Sequence, residues 1–263
     1  MAINVLISNP DYITELLSYK QIEGIYVEFE RIAPGSLSKI VQLAHGKGKK
    51  IYMALPYLWN EAGERALVRE LPSLISAYPD GYLIRNLDEL GLLRHRNAPG
   101  LKIIDAGLYT WNKSAIKQLS DAGADFFTLP YELNSHEIER RGTKGCELVV
   151  YGRYPMMISN SCIRVTTDKC QKTKKPYGVY MLEDRTGARF PVVNCCRFCY
   201  NITYNSVPTW LLDEPAIASV PNLRFNFTIE SKLEMKSVLN RYFSGDTAPI
   251  GSITRGHYKR GAQ

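Results

Sequence analysis

The stretch IYMALPYLWNEAGERALVRELPSLISAYPDGYLI, residues 51–84, contains the pattern that decides the fold. Residues 51–55 and 81–84 are short apolar runs, as expected for parallel strands that are buried on both faces. Residues 61–77 between them have the periodicity of an amphipathic helix, with a kink or break predicted at Pro72. The stretch is therefore predicted to form one strand–helix–strand unit.

This unit recurs along the chain at intervals of roughly 20 to 30 residues, which suits a strand and a helix joined by short loops. The predicted strands cover residues 3–7, 25–28, 51–55, 81–84, 102–105, 126–129, 147–151 and 223–228. The predicted helices cover residues 36–45, 61–77, 87–94, 113–122, 135–141 and 231–243. Eight units without a glycine-rich dinucleotide-binding turn favour an α/β fold of the (β/α)8 TIM-like barrel type over a doubly wound open sheet.

A cysteine-rich insert, residues 159–206, interrupts the repeat between the seventh and the eighth strand. It contains five of the six cysteines, together with polar turns and several lysines. A long insertion of this kind is uncommon unless it is functional. Residues 1–263 are therefore predicted to be a single barrel domain with this insert and a basic C-terminal tail, residues 251–263.

The cysteines of the insert have the spacing of metal ligands. Cys196 and Cys199 form a Cys-x-x-Cys, whose turn aims two thiolates at one point, and Cys162 and Cys170 would complete a set of four. Four thiolates hold either zinc or an iron–sulfur cluster, and free or disulfide-linked thiols are the third alternative. Cys195 is a rival of Cys196, because exchanging them gives a workable Cys-x-x-x-Cys.

Polar residues at the carboxyl ends of the predicted strands are candidates for an active site, because catalytic groups of such barrels lie at that rim. They are Glu28, Arg31, Arg85, Asn86, Asp105, Glu132, Asn134, Tyr151 and Arg153. Each also has a structural interpretation as a helix N-cap or a rim ion pair, and Asn112 and Asn134 are predicted N-caps. Cys146 begins the seventh strand, at the end opposite the rim, and is interpreted as a buried structural thiol.

The net charge of +7 suggests an anionic partner such as nucleic acid. In the insert, Lys169, Lys172, Lys174 and Lys175 would either contact a phosphate backbone or solvate a loop. The tail, which contains His257, has the composition of a disordered segment, and RNA binding is the alternative.

The chain begins without the pattern of a secretory signal and contains no apolar run of membrane-spanning length. A cytoplasmic protein with no membrane partner is therefore predicted, and clustered cysteines in that compartment favour metal binding over disulfides. Motifs of the common nucleotide-binding and serine-hydrolase classes do not occur.

Eight sequence blocks, in this order, resemble the collagenase-like peptidase family U32 over nearly the whole chain. They are GIYVEFER, LIRNLDEL, LPYELN, VVYGRYPMMISNSC, YMLEDRTGARFPV, CCRFCYNITYNS, LRFNFTIES and TRGHYKRG. The family name records an old protease assignment, whereas better-supported members resemble oxygen-independent hydroxylases of RNA bases or quinone precursors with a 4Fe–4S cluster. The pattern is similar to the long subgroup, in which such a barrel can be the C-terminal part of a larger protein.

The resemblance implies that Cys162, Cys170, Cys196 and Cys199 hold the cluster. It also matches Glu132 and Arg153 to the family's blocks around strands six and seven. The extra glycines, the arginine and the Gln-Pro of the more usual family insert are absent here, so no particular substrate is carried over.

The first hypothesis is an enzyme that hydroxylates RNA, or an aromatic small molecule, at the barrel mouth. Glu132 would be the base or an orienting carboxylate and Arg153 would hold an anionic group, with Glu28 as a third catalytic candidate. Candidate substrate-binding residues are Arg31, Asn86, Asp105, Tyr151 and His257. The cluster would exchange electrons with a partner, and the resemblance implies prephenate as the oxygen donor of some members.

Two alternatives belong to other classes. A collagenase-like peptidase is the second hypothesis, although the sequence offers no convincing nucleophile–base pair. The third is a non-catalytic RNA-binding module in which zinc or a cluster has only a structural role and stabilises the insert.

Overall fold

The computed structural model describes residues 1–167, 170 and 178–261. Eight parallel strands form the barrel, and all strands of the protein are numbered in chain order. The eight are β1 (Ala2–Ile7), β2 (Ile22–Glu28), β3 (Lys50–Ala54), β4 (Gly81–Ile84), β5 (Leu101–Ile104), β6 (Phe126–Thr128), β7 (Cys146–Gly152) and β13 (Asn222–Phe227). Strand β13 lies between β7 and β1, and β6 pairs with β7, so the ring is closed. This closure confirms the (β/α)8 barrel and excludes the open sheet.

The helices follow the strands and cover the outside of the barrel. They are α1 (Ile13–Leu16), α2 (Leu37–His45), α3 (Glu61–Ser76), α4 (Leu87–His95), α5 (Lys113–Asp121), α6 (Ser135–Arg141) and α8 (Lys232–Phe243). The predicted N-caps Asn112 and Asn134 each accept a hydrogen bond from the backbone three residues on. Helix α3 continues through Pro72 rather than ending there. Within the described ranges, no helix is both long and apolar enough to cross a bilayer.

Residues on alternate positions of the strands point into the barrel and out towards the helices. Inside, a compact apolar layer consists of Leu6, Tyr26, Tyr52, Ala54, Leu83 and Ile103. Outside, a larger apolar core fills the space between strands and helices and contains Cys146, which confirms the prediction of a buried thiol. Apolar side chains therefore fill part of the barrel interior as well as the space between strands and helices.

The insert begins at Pro155, earlier than the predicted residue 159, and forms a second, antiparallel sheet that was not predicted from the sequence. Its elements are β8 (Pro155–Ser159), α7 (Ile163–Thr167), β9 (Val179–Glu183), β10 (Arg189–Cys195) and β11 (Tyr200–Tyr204), with the strands in the order β8-β11-β10-β9. Strand β12 (Thr209–Trp210) then returns antiparallel to β7. Lys169, Lys172, Lys174 and Lys175, predicted either to contact a phosphate backbone or to solvate a loop, lie outside the described residues.

The insert leaves and rejoins the barrel at one neck. Arg153 donates hydrogen bonds to the carbonyl oxygen of Asn205, at 2.9 Å, and to that of Ser206. The backbone N–H of Asn205 donates in turn to the carbonyl of Tyr154 at 2.9 Å. These bonds tie the outgoing and returning chains together.

The far end of the insert sheet is anchored over the loops that follow β2 and β3. Phe198 stacks on Phe29 with ring centroids 5.7 Å apart. Arg197 donates to the carbonyl of Phe29 at 3.0 Å and forms an ion pair with Glu70 of α3. With the neck, these contacts hold the sheet across the carboxyl-terminal mouth of the barrel.

Residues 251–261 are folded against the barrel, so the disorder expected from the composition of the tail is wrong for them. Thr254 forms a bridge with β12, Arg255 pairs with Asp213, and the Tyr258 side chain is buried. One buried aromatic side chain and several polar contacts offset the entropy lost on ordering this segment.

Gly152, at the end of β7, has a φ of +133°, and a Cβ atom there would lie 2.5 Å from the carbonyl oxygen of Asn226. We expect Gly152→Ala to lower the free energy of unfolding by about 1–3 kcal/mol or more, since it adds a steric clash to backbone strain. Urea denaturation followed by circular dichroism measures this change.

Gly91→Ala is the matched control, because a Cβ atom at this position in α4 meets no atom within 4 Å. It should be neutral or stabilise by up to about 1 kcal/mol. Equal destabilisation by the two substitutions would contradict the expectation.

Candidate active site

Charged side chains fill the interior of the barrel towards its carboxyl-terminal end. Arg224 on β13 donates to Glu147 Oε1 at 2.6 Å and to Asp105 Oδ1 at 2.7 Å. Arg85, just after β4, donates to the other oxygen of Asp105 at 3.1 Å and to Glu28 Oε2 at 2.7 Å. Three carboxyl groups and two guanidinium groups therefore form one continuous buried network.

Uncharged groups from further strands complete the hydrogen bonding of Glu147. Its carboxylate accepts from Asn4 at 3.2 Å, from the Tyr26 hydroxyl at 3.1 Å and from Thr128 at 3.1 Å. The donors stand on β1, β2 and β6, so the network ties strands together across the barrel. A buried carboxylate with this many donors satisfies the general requirement for burying a charge.

Burial does not neutralise Asp105, Arg85 or Arg224, because the pKa of each favours its charged form at neutral pH. Burial alone would raise the pKa of Asp105, but the guanidinium groups of Arg224 and Arg85 outweigh burial and hold this pKa at about 2. Burial likewise opposes the charge of Arg85, yet the carboxylate of Glu28 holds the arginine pKa well above its ordinary value. The floor of the barrel mouth is therefore a fixed arrangement of charges.

Two carboxyl groups beside the network, those of Glu89 and Glu30, have raised pKa values. Glu89 on α4 is buried, and its Oε2 accepts the backbone N–H of Arg85 at 2.8 Å, while its Oε1 has no partner among the residues described. Burial raises the pKa of Glu89 to about 8. Burial and the charge of Glu28 raise the pKa of Glu30, which accepts a hydrogen bond from the Tyr200 hydroxyl, to about 7.

A cavity of about 270 Å³ lies above this floor, between the barrel and the insert. Its lining residues are Tyr57, Arg85, Asp105, Ala106, Gly107, Tyr109, Tyr131, Glu132, Pro155, Met156, Met157 and Ile158. The last four belong to β8, so the edge strand of the insert roofs the cavity.

Aromatic rings form much of the cavity wall. The guanidinium of Arg85 lies over the ring of Tyr57, 3.6 Å from its centroid. Tyr131 stacks on Tyr154 with centroids 3.8 Å apart. These stacked side chains have little freedom to move, so the cavity is preformed for a flat, apolar ligand with polar edges.

Glu132 is the predicted catalytic residue that lines the cavity. It takes no part in the buried ion-pair network, and its Oε2 is buried without a hydrogen-bond partner in the described part of the chain. A buried carboxylate oxygen that lacks a donor is costly unless a ligand supplies one. The geometry therefore favours Glu132 as the acceptor of a proton or a hydrogen bond from a bound molecule.

Two other predicted residues lie at or below the cavity, and a third, Arg31, does not line it. Asp105 lines it and also supports both arginines of the network. Glu28 lies beneath it, bonded through both carboxylate oxygens to Arg85. Arg31 lies near Cys195, where its charge acts on the buried thiol.

The remaining predicted site residues make structural contacts and do not line the cavity. Arg153 closes the neck, and the Oδ1 of Asn86 caps α4 by accepting the N–H of Glu89 at 2.9 Å. A register shift in the pairing of β13 with β7 leaves Tyr151 in the outer apolar core. A ring nitrogen of His257 lies 3.0 Å from the carbonyl oxygen of Gly261.

Cys195 and Cys196 are distinguished by their burial, because Cys195 is the buried last residue of β10 and Cys196 lies beyond the strand and is partly exposed. Cys195 is buried in the apolar core, which raises the pKa of its thiol far above the ordinary value. Cys196 begins the turn to β11, and its sulfur lies 3.3 Å from Nη1 of Arg164 on α7. Cys199, exposed in the same turn, has a left-handed backbone with φ of 56°. Cys196 is therefore the better placed of the two rivals.

Cys162 and Cys170 flank α7, on the same side of the insert sheet as Cys196. Asn194 lies 3.7 Å from the sulfur of Cys162, and the backbone N–H of Cys170 donates to the carbonyl of Arg164 at 3.1 Å. In the described ranges no three His, Cys, Asp or Glu side chains converge as metal ligands. The donor chemistry nevertheless fits a thiolate-bound metal, since four thiols come from neighbouring segments and an arginine beside them would offset their negative charge.

Several residues of the site were not predicted from the sequence, among them two charged and two aromatic ones. Glu147 and Arg224 each interrupt an apolar strand, and a charge inside a buried barrel strand is a recognisable signal of an internal ion pair. Tyr57 and Tyr131 lie in loops after β3 and β6, where the sequence shows no periodicity that would orient their rings.

A sequence model of peptidase family U32 matches residues 27–213, which is more than half of the chain. This chain belongs to peptidase family U32. The solved structure of the U32 peptidase Mk0906 aligns with a TM-score of 0.53 and 10% sequence identity, over 88% of this chain and 94% of that one. At such low identity the likeness to Mk0906 shows the shared fold alone.

Other solved structures align less well. A glycerol uptake operon antiterminator regulatory protein from Listeria monocytogenes has a TM-score of 0.39 and 14% identity, over 57% of this U32 chain and 78% of that protein. An uncharacterized B. cereus protein has a TM-score of 0.45 and 9% identity, over 91% of this chain and 65% of the other. A comparison with curated proteins finds no significant match.

The buried carboxyl of Glu89 predicts how the stability of this U32 barrel depends on pH. Its pKa is raised from 4.5 to about 8 on folding, so its stabilising effect is complete below pH 4.5 and is lost as the pH rises through 8. Glu89→Gln mimics the protonated form. The variant should therefore gain stability relative to wild type, by up to roughly 1.4 kcal/mol per pH unit, as the pH increases across this window.

Melting temperatures of both proteins between pH 5 and about pH 8.5, a range that spans the titration, test this expectation. Glu64→Gln, at an exposed carboxylate of α3, is the matched control and should leave the pH profile unchanged. Parallel profiles for Glu89→Gln and wild type would show that Glu89 is ionised in the folded state.

Proposed function

We propose that this U32 chain is an iron–sulfur enzyme that hydroxylates an aromatic ring without O2, the ring belonging to an RNA base or to a small molecule. One observation carries the proposal. The carboxylate of Glu132, with an unpartnered oxygen, lines a cavity that is walled by tyrosines and roofed by the strand leading to Cys162. Substrate site and thiols are thus joined by one short element, β8.

The lining selects a flat ring with hydrogen-bond donors on its edge. Tyr57, Tyr109 and Tyr131 offer aromatic surface, and the methionines of β8 offer a polarisable roof. The carboxylates of Glu132 and Asp105 are acceptors only, so they favour a ring that carries N–H or O–H groups. A nucleobase and a phenolic precursor both meet this description.

Hydroxylation without O2 takes oxygen at the oxidation level of water. When water is the donor, RH + H2O gives ROH, two electrons and two protons, and a hydroxyl-bearing donor such as prephenate is the alternative that the resemblance implies. Glu132 would accept a proton in this reaction, because its free oxygen has no competing donor. Arg85 and Asp105 would keep fixed charges beneath the ring as its charge changes.

Cys162, Cys170, Cys196 and Cys199 would hold the 4Fe–4S cluster, with zinc as the alternative occupant of the same thiols. When bound, the cluster would supply one-electron transfer between the site and an electron-transfer partner. Arg164, beside Cys196, would offset part of the negative charge of the thiolates.

The peptidase alternative has less support. No histidine of the described residues lines the cavity, and His45 pairs with Asp80 at the opposite end of the barrel. A nucleophile–base pair for peptide cleavage is therefore not offered at this site. The non-catalytic module remains the alternative against which the enzyme is tested.

Substitution of adjacent cysteines tests the metal site. Cys196→Ala should abolish bound iron and sulfide in protein purified without air, while Cys195→Ala should keep both, because the Cys195 side chain is buried in the apolar core. Iron and sulfide analysis with a visible absorption spectrum measures the result. About one zinc without sulfide in wild type, or iron loss only in Cys195→Ala, would refute the assignment.

Substitution of Glu132 tests the chemistry separately from the metal. Glu132→Gln should retain iron and a folded barrel but form the oxygenated product about 10²- to 10⁴-fold more slowly. Mass spectrometry of nucleosides from cells that produce wild type or variant would detect a nucleoside one oxygen atom heavier than its parent.

Glu139→Gln, at an exposed carboxylate of α6, is the control and should leave the product unchanged. An equal yield of product with Glu132→Gln would remove the catalytic role of this residue. Absence of any oxygenated nucleoside or aromatic metabolite in wild type would favour the binding module.

A further inference from the structure

Two aromatic side chains stand exposed on the loop between β5 and α5, at the rim of the cavity. Tyr109 is 55% exposed and Trp111 is 43% exposed. Their ring centroids are 6.4 Å apart with an interplanar angle of 67°. Tyr109 also lines the cavity, so aromatic surface continues from the inside of the site to the outside.

The backbone that presents these rings is strained. Tyr109 has a left-handed conformation, with φ of 49° and ψ of 59°, which is unfavourable for a residue with a bulky side chain. Two backbone hydrogen bonds hold it there, from the N–H of Tyr109 to the carbonyl of Ala106 at 3.2 Å and from the N–H of Trp111 to the carbonyl of Tyr109 at 2.7 Å. Backbone strain of this kind concentrates at functional sites such as ligand-binding sites. Exposed aromatic surface beside it also points to an interaction site, because exposing these rings does not stabilise the fold.

We propose that Tyr109 and Trp111 form a stacking subsite for single-stranded RNA, which holds a base next to the nucleotide that enters the cavity. This proposal rests on the proposed function and names RNA as its substrate class. Exposed aromatic rings stack on bases of any sequence, so the subsite would bind a single strand with little sequence preference.

The charge around the pair suits this ligand. Lys113 is exposed two residues beyond Trp111, at the start of α5, and it forms no ion pair with a residue that the structure describes. The chain as a whole carries a net charge of +7. A cation beside a stacking surface is the combination that single-stranded nucleic acid requires. A protein partner would need a broader apolar surface than two rings provide.

Tyr78 provides an internal comparison. It is 70% exposed and also has a left-handed backbone, with φ of 51°. It precedes β4 and therefore lies at the amino-terminal end of the barrel, opposite the cavity. Tyr78→Ala removes an exposed aromatic ring from a similar backbone without touching the proposed subsite.

The experiment measures binding of a short, fluorescein-labelled single-stranded RNA by anisotropy, with the iron-loaded protein. Trp111→Ala should weaken binding about tenfold, which corresponds to the loss of one stacked base. Trp111→Phe keeps an aromatic face and should bind within a few-fold of wild type. Tyr78→Ala should bind as wild type does.

Tryptophan fluorescence gives a second readout. Trp111 is exposed, whereas Trp59 is half-buried and Trp210 is buried, so bound RNA should quench the emission of Trp111 selectively. The quenching should disappear in Trp111→Phe although binding persists.

The possible failures are distinguishable. Wild-type affinity in Trp111→Ala, or unchanged quenching in Trp111→Phe, would overturn the subsite and leave the proposed hydroxylase intact. Failure of the wild-type protein to bind single-stranded RNA would overturn the subsite and the RNA form of the proposed function together. A cluster-bearing protein that still hydroxylates a small aromatic molecule would then identify the other substrate class.

Discussion

The ion pairs of Arg224 inside the barrel are the interaction on which the rest of the structure depends. This fully buried guanidinium joins Glu147 and Asp105, and through Asp105 it fixes Arg85 at the floor of the cavity. Barrels of this type usually fill their interior with branched apolar side chains. Loss of one partner from such a buried network would cost about 3–5 kcal/mol, so floor and fold are stabilised by the same contacts.

The cavity needs the insert as much as it needs the barrel. The barrel supplies charge and aromatic walls, but β8 supplies the roof, and without it the mouth would be open to water. Exclusion of water strengthens electrostatic interactions between a ligand and fixed charges. The anchoring of Phe198 on Phe29 at the far end of the sheet therefore helps to hold the roof in place.

Much of the fold could be predicted from the sequence, since buried parallel strands are short apolar runs and each of the eight lies within a few residues of its predicted position. The insert sheet could not, because its strands β8 and β9 are largely exposed and carry no alternating pattern. The tail was mistaken for a disordered segment because its order depends on contacts of Tyr258 and Arg255 with distant residues.

The candidate site was only partly predictable for a related reason. Glu132 and Asp105 could be identified from their positions after strands, but Asn86 and Arg153 occur in the same pattern and serve as a cap and a clamp. The sequence shows which residues reach the rim of the barrel. The hydrogen-bond partners of these residues depend on tertiary contacts, which the sequence does not show. Cys195 and Cys196 illustrate the difference, because packing in the apolar core buries the thiol of Cys195 and leaves that of its neighbour partly exposed.

The neck at Arg153 gives the insert the character of a cassette. Because its two ends are bonded to each other, the neck closes the connection between β7 and β12 independently of the contacts that Phe198 and Arg197 make with the barrel. The entropy of closing such a connection depends only weakly on the length of the chain outside the neck. The length of the insert beyond the neck can therefore change at little entropic cost to the connection between β7 and β12.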